Sequence, residues 1–318
     1  MKNFLKNIPI PICGLILALV SLGNLIKTDG MPRFGILIGL IGMVLMCLVI
    51  CKLIFTFKHT LSLLKNPIVA SVAPTFTMGL MIICTYFLEV DWLTPYLSYI
   101  WLGIVIVHFM LIAYFTHYFL ITKSVKLHHV YPSWFITYVG IGVITVTSCN
   151  FYPAFGRWIF WIALSLYLVL LPIILHRVFT IKNMEDSTLP LITIIAAPGS
   201  LCLTGYLNAF DNKNVLIVTL LFVLSQGLYF LILTQLPKLL AIDFYPSYAG
   251  FTFPLVISAT AITATTNFYN QLGFTSVLFH WVAISESIIA FIIVFYVLYK
   301  YVIYLTIQYI DTRANSIY

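Results

Sequence analysis

Charge is what this chain has least of. Its 318 residues include 16 Lys and Arg and 9 Asp and Glu, or 8% charged in all, where a soluble domain carries about 25%. So few charged side chains cannot cover a soluble fold of this size. Hydrophobic residues at 62% and a mean hydropathy of +1.07 remove the remaining polar surface. Ordinary soluble enzymes, secreted disulfide scaffolds and nucleic-acid modules are excluded on composition. Cysteine is equally uninformative as chemistry. Cys13, Cys47, Cys51, Cys84, Cys149 and Cys202 all fall in apolar runs. Cys47 and Cys51 share a helical face, but further ligands for a metal are missing beside them. They are read as small packing residues. What is present is long apolar sequence, and the chain reads as an all-α integral membrane protein of several spans.

A span needs about 20 mostly apolar residues. Ten such runs are expected: 8–28, 33–57, 66–88, 93–120, 131–152, 154–180, 189–209, 213–236, 245–268 and 274–305, with the last long enough to tilt or project. Their connections are short, so successive spans form five hairpins and residues 1–318 read as one transmembrane domain. Lys2 and Lys6 ahead of an apolar run resemble a signal peptide, but without a small-residue cleavage site the run is kept as a span. The net charge of +7 is explained by position. Loops after even spans, with the two termini, hold Lys2, Lys6, Lys52, Lys58, Lys65, Lys123, Lys126, Arg177, Lys182, Lys238, Lys300 and Arg313. Loops after odd spans hold Lys27, Arg33, Arg157 and Lys213. Twelve against four is a positive-inside bias that places both termini in the cytoplasm.

Prolines expose an internal repeat. Pro9, Pro67, Pro132, Pro190 and Pro246 open the odd spans at intervals of 58, 65, 58 and 56 residues. In four of the five, a Pro or Gly follows seven or eight residues later: Pro74, Gly140, Pro198 and Pro254. Proline at a helix start sacrifices no hydrogen bond, whereas an interior proline frees a carbonyl and kinks the helix. Inside a bilayer such breaks survive where protein or water satisfies the backbone. The odd spans are therefore expected as kinked helices around a common axis.

Polar residues sort the same way. Candidates for the lining of a pathway are Ser71, Pro74 and Thr75 in span 3, and Gly140, Thr145 and Ser148 in span 5. Span 7 adds Pro198, Ser200 and Thr204, and span 9 adds Ser258 and Thr260. Each hydroxyl taken singly reads equally as helix-packing glue; their concentration in equivalent spans favours an inner ring. Even spans are dominated by Leu, Ile, Val, Phe and Tyr, as lipid-facing surfaces are.

The odd spans contain no Asp, Glu or His, and all seven histidines fall in even spans or loops. The carboxylate well inside a span is Glu286, in span 10. Its expected role is structural or in assembly, so Glu286→Gln is expected to keep conduction. Catalysis would need a nucleophile, metal cluster or acid–base pair facing one cavity. None is visible, and neither enzyme activity nor a cofactor or metal is expected. A pathway lined by hydroxyls and helix N-termini, without a ring of carboxylates, favours anions over cations.

The tandem hairpins, the Pro-opened odd spans and two segments, Gly250-Phe251-Thr252-Phe253-Pro254 and His129-Val130-Tyr131-Pro132-Ser133, resemble the tellurite-resistance/dicarboxylate transporter family. Plant slow-type anion channels and fungal malate permeases belong to it, and the resemblance covers about residues 8–305. It implies a homotrimer with one pore per subunit, inner odd helices and outer even ones. It also implies a phenylalanine gate before a proline on inner helix 9, here Phe253 with Pro254. Phe251, two residues away, projects from another face. Ordinary packing is the alternative reading of Phe253. The first span, lacking a mid-span proline, departs from the pattern. The leading expectation is a passive channel or uniporter for small anions such as chloride or nitrate in a bacterial cytoplasmic membrane. A carrier of four-carbon dicarboxylates such as malate, with or without proton coupling, or a tellurite-resistance transporter, is the alternative.

Overall fold

The computed structural model describes residues 2–122 and 126–314, so Lys123 of the loop count lies outside the described residues. All regular structure in the described residues is helical. Among the described residues, eight helices are long and apolar enough to cross a membrane. They differ sharply in burial. Three of them, Pro67–Tyr86, Asp186–Ala209 and Pro246–Gln271, have 67%, 89% and 78% of their apolar core buried within the chain. The other five range from 22% to 39%. The first group corresponds to odd spans and the second to even spans.

Two expected spans do not appear as single long helices. After a short α1 (Lys2–Asn7), α2 (Ile12–Thr28) has 17 residues and is almost wholly buried. Pro9 and Pro11 separate the two, so the first span has its break at its entrance. Span 5 is split into α8 (Trp134–Val139) and α9 (Gly142–Thr147), with a 3₁₀ turn after it. Gly140 sits at the split, in a stretch rich in residues that form helices poorly: aromatic and β-branched side chains and glycine.

The same break recurs in the other odd spans. α5 (Pro67–Val72) stops and α6 (Thr75–Tyr86) restarts at Pro74. A 3₁₀ stretch, Asp186–Ala196, gives way to α11 (Ala197–Ala209) at Pro198. Another, Pro246–Phe251, gives way to α13 (Phe253–Gln271) at Pro254. Pro74 is the N-cap of its second piece, and Pro198 and Pro254 lie in the first turn of theirs, positions where an amide hydrogen is not required. Even spans are continuous: α3 (Pro32–Phe55), α7 (Thr94–Phe115), α10 (Pro153–Leu175), α12 (Val215–Leu239) and α14 (Val277–Ala314). A short α4 (Phe57–Leu63) follows α3. At 1.5 Å per residue, the 38 residues of α14 extend about 57 Å, beyond an apolar layer of about 30 Å. Gly30 and Gly273, with φ of 88° and 85°, turn the chain from α2 to α3 and from α13 to α14 in a backbone region open to glycine at little cost.

The five odd segments form a closed ring, each packed on the next and the last on the first. A hydrogen bond marks every junction. Asn24 Nδ2 donates to Thr85 Oγ1 at 3.0 Å between segments 1 and 3. Ser71 and Ser133 hydroxyls meet at 2.7 Å, and Thr137 donates to the Ser71 carbonyl at 3.0 Å, between 3 and 5. Asn208 Nδ2 donates to the Val146 carbonyl at 3.1 Å, between 7 and 5. Ser247 donates to the Ser187 carbonyl at 2.5 Å, between 9 and 7. Thr252 donates to the Gly14 carbonyl at 3.3 Å, closing 9 on 1. Apolar contact separates protein from lipid weakly, so such bonds and close backbone packing hold helices together. The α2–α3 pair shows the second device: a Cβ at Gly35 would collide with the Gly23 carbonyl oxygen.

Outer helices are fastened to the ring by buried polar contacts. Trp101 Nε1 on α7 donates to Thr147 Oγ1 at 2.9 Å, and His108 Nδ1 lies 2.7 Å from Thr77 Oγ1. Lys52, buried in α3, donates to the carbonyls of Leu5 at 3.1 Å and Lys6 at 2.8 Å, which anchors the C-terminal end of α1. Arg177 ties two loops together by donating to the carbonyls of Lys182, His128 and Asn183.

Candidate functional site

Two cavities lie within the ring, one on each side of the helix breaks. The first is small, about 50 Å³, and almost wholly apolar. Its wall takes Pro11 and Gly14 from segment 1, Thr75 from α6, Gly140 from segment 5, Pro198 from α11, and Phe253 and Pro254 from α13. All five breaks border it. The second, about 410 Å³, is the more polar of the two. Its wall carries the amides of Asn24, Asn150, Asn208 and Asn267, the hydroxyls of Ser21, Thr85, Thr147, Thr204, Thr260 and Thr263, and one charge, Lys27. Among the described residues, neither wall contains a carboxylate.

Two side chains border both cavities, Phe253 and Leu201. Phe253 is the first residue of α13 and only 8% exposed. Its ring stands where the chain changes from 3₁₀ to α geometry, and Pro254 supports that change by keeping φ in the helical range. Leu201 approaches from α11, packed so closely on Gly142 that an added Cβ there would come within 2.8 Å of it. Phe251 is on neither wall. It is fully buried and meets Tyr248 edge-on at 5.0 Å.

The sequence candidates divide accordingly. Thr75, Gly140, Pro198, Thr204, Thr260, Phe253 and Pro254 face one or both cavities. Ser71, Pro74, Thr145, Ser148, Ser200 and Ser258 are on neither wall. Ser71 is spent on the junction with Ser133. Thr145 donates to the Gly142 carbonyl at 2.6 Å and fills the space left by Gly205. Ser148 donates to the Thr145 carbonyl at 3.2 Å beside Gly156. Ser200 donates to the Ala196 carbonyl at 3.2 Å, Pro74 starts α6, and Ser258 points outward from the ring towards α12 and α14. The sequence reading missed Leu201, the four asparagines as a set, and Lys27, which it counted in a loop. Lys27 is in the last turn of α2, with its ammonium 5.3 Å from the centre of the Tyr86 ring.

A third cavity of about 820 Å³ adjoins the polar one, sharing Thr28, Thr263 and Asn267 with it. Asp29 and His280 both border it. Partial burial holds the Asp29 carboxyl above its ordinary value, against the opposing pull of His280. The described residues contain no group of three or more His, Cys, Asp and Glu placed to hold a metal ion.

A ring of broken helices within a sleeve of apolar ones, with two cavities that share Phe253 and Leu201, defines a multi-pass helical membrane protein of the transporter and channel class. Residues 7–302 match the family of voltage-dependent anion channels. The chain belongs to that family, and anion transport across a membrane is the activity that membership carries. An uncharacterised transporter of Methanocaldococcus jannaschii is 23% identical over 239 residues, covering 68% of this chain and 69% of the relative. The resemblance drawn from the repeated prolines thus holds at the level of the family.

Proposed function

We propose that the protein conducts small monovalent anions passively, through a pathway in each subunit that Phe253 closes. The observation that carries this reading is the position of Phe253 between an apolar and a polar cavity, on walls that hold no carboxylate. A phenyl ring blocks an ion by bulk and by denying it hydration, a common gating device. Lys27 supplies the polar cavity with its charge, and neutral amides and hydroxyls supply donors. The α-helical pieces restarting at Thr75, Ala197 and Phe253 turn their N-terminal, positive ends towards the constriction.

Counting α2 and the split α8–α9 segment with the eight long helices supports ten crossings in five hairpins. The positive-inside bias supports two cytoplasmic termini in a cell membrane. A homotrimer is the assembly the family resemblance implies, and crosslinking in native membranes tests it. Reconstituted protein decides the transport mode. Passive conduction gives currents that reverse at the anion equilibrium potential. A carrier of four-carbon dicarboxylates gives saturable uptake that needs a pH gradient; the four asparagine amides and the 410 Å³ of the polar cavity are the observation in its favour.

A further inference from the structure

Outside the ring, four polar side chains meet where three helices pack. Glu286 comes from α14, Ser258 from α13, and Gln226 and Tyr229 from α12. Glu286 is 1% exposed, Ser258 and Tyr229 are 0%, and Gln226 is 7%. Ser258 and Gln226 stand within reach of the Glu286 carboxyl, and the Tyr229 hydroxyl lies near it. Yet both oxygens of Glu286, both side-chain polar atoms of Gln226, and the hydroxyls of Ser258 and Tyr229 close no hydrogen bond among the described residues. None of the four lines any of the three cavities.

Among the described residues, no cation is placed beside Glu286 to balance an ionised carboxylate. α13 and the middle of α12 carry no Lys, Arg, His, Asp or Glu. Lys27 is at the far end of α2 in the polar cavity wall, and Cys13 is near its start. Lys2 and Lys6 belong to α1, and the stretch Pro246–Phe251 contributes only Tyr248. On α14 itself, His280 precedes Glu286 by six residues, about 9 Å, and Lys300 follows by fourteen, about 21 Å. Among the described residues, the Tyr229 hydroxyl is the titratable group found beside the carboxyl. A buried acid without a counter-charge becomes neutral by taking a proton, since its ionised form has lost the solvation of water. One proton also answers the orphaned atoms: the neutral acid donates from one oxygen to an amide or hydroxyl oxygen and accepts on the other.

We infer that Glu286, with Ser258, Gln226 and Tyr229, forms a buried proton-binding site that keeps the pore helix α13 seated against α12 and α14. Ser258 lies between Ile257 and Thr260 on α13, both on the wall of the polar cavity, and one turn beyond Phe253. Loss of the proton to water leaves a carboxylate that must be hydrated. Water then enters between α13 and its outer neighbours, and the helix that carries Phe253 loses its support. The site couples pH to anion flux without lying on the anion path, an effect that rests on the conduction proposed above. The sign follows from linkage. The native acid keeps a proton that the exposed acid of the unfolded chain has released, so stability falls as pH rises through the native titration.

Two readouts that need no transport come first. Infrared difference spectra of the wild type against Glu286→Gln in lipid are expected to show the carbonyl stretch of a protonated carboxylic acid at neutral pH. Ser258→Ala, which removes one facing hydroxyl, shifts that band without removing it. Thermal unfolding of the wild type is expected to move to lower temperature at alkaline pH, and that of Glu286→Gln to move much less. In liposomes, wild-type anion flux rises several-fold from mildly acidic to alkaline pH, while Glu286→Gln stays at the low acidic level. A carboxylate band at neutral pH, or a Glu286→Gln variant that follows the wild-type pH curve, overturns the inference. If even Phe253→Ala passes no anion, the conduction proposal fails instead, and the infrared and unfolding data still decide the proton site.

Discussion

Replacing Phe253 by alanine removes the ring that borders both inner cavities and leaves the backbone of α13 in place. The ring is 8% exposed, so its loss has a stability cost. Core Phe→Ala changes cost about 3–5 kcal/mol; two faces of this ring border open space, which puts the cost near 3 kcal/mol. The effect on permeation has the opposite sign. With the ring gone, the apolar cavity of about 50 Å³ joins the polar one of about 410 Å³, and an anion no longer sheds its water against a phenyl face. If the partial hydration regained lowers the barrier by on the order of 3 kcal/mol, the rate rises about 100-fold. Selectivity changes little, because Lys27 and the amides remain. Planar-bilayer recordings of purified wild type, Phe253→Ala and Phe251→Ala provide the assay. Phe251→Ala also costs stability, since that residue is fully buried against Tyr248, but its conductance stays within a few-fold of wild type. Equal currents from the three proteins would refute the placement of the gate.

Lys27→Gln removes the one charge on the polar wall, and its single-channel conductance is expected to fall at low salt and to recover at high salt as screening takes over. Equal losses at both ionic strengths would contradict an electrostatic role. Lys52→Met leaves the α1 carbonyls of Leu5 and Lys6 without their donor and should lower stability by about 2 kcal/mol, read as an earlier thermal transition in detergent. Gly35→Ala forces α2 and α3 apart at the Gly23 carbonyl, at a cost of about 1–3 kcal/mol, and an unchanged transition would show that the contact is loose. Cysteine scanning in a Cys149→Ser background with a water-soluble thiol reagent should label positions 208 and 260 on the polar wall and spare buried positions 145 and 200. The reverse pattern would invert the assignment of faces.

Hydropathy and proline carry the architecture well in this chain. Pro74, Pro198 and Pro254 each stand where an inner helix restarts, and the spacing of the opening prolines marks the repeat before any contact is known. What sequence could not supply was the face on which each hydroxyl lies. Thr145 and Thr204 look alike in an apolar helix. One fills the space of Gly205, sixty residues on in the chain, and the other faces the cavity. Leu201 has no polar feature to separate it from the many leucines of the core. Lys27 was masked by its place at the end of an apolar run, where a basic residue serves equally to orient a span or to line a vestibule. The split in span 5 was signalled by Gly140, but the hydropathy of 131–152 is continuous across it. Glu286 stood out as an intramembrane acid, whereas its neighbours Gln226, Tyr229 and Ser258 come from two other helices and only folding gathers them.

The measurement that tests the central claim most directly is the reversal potential of Phe253→Ala in a planar bilayer under a chloride gradient, repeated with nitrate and malate in place of chloride. A passive anion pathway predicts reversal close to the chloride equilibrium potential, a comparable or larger current with nitrate, and independence from any pH gradient of the opposite sense. Reversal at the cation equilibrium potential, or malate flux that appears only with an imposed pH gradient while chloride and nitrate carry no current, would contradict it.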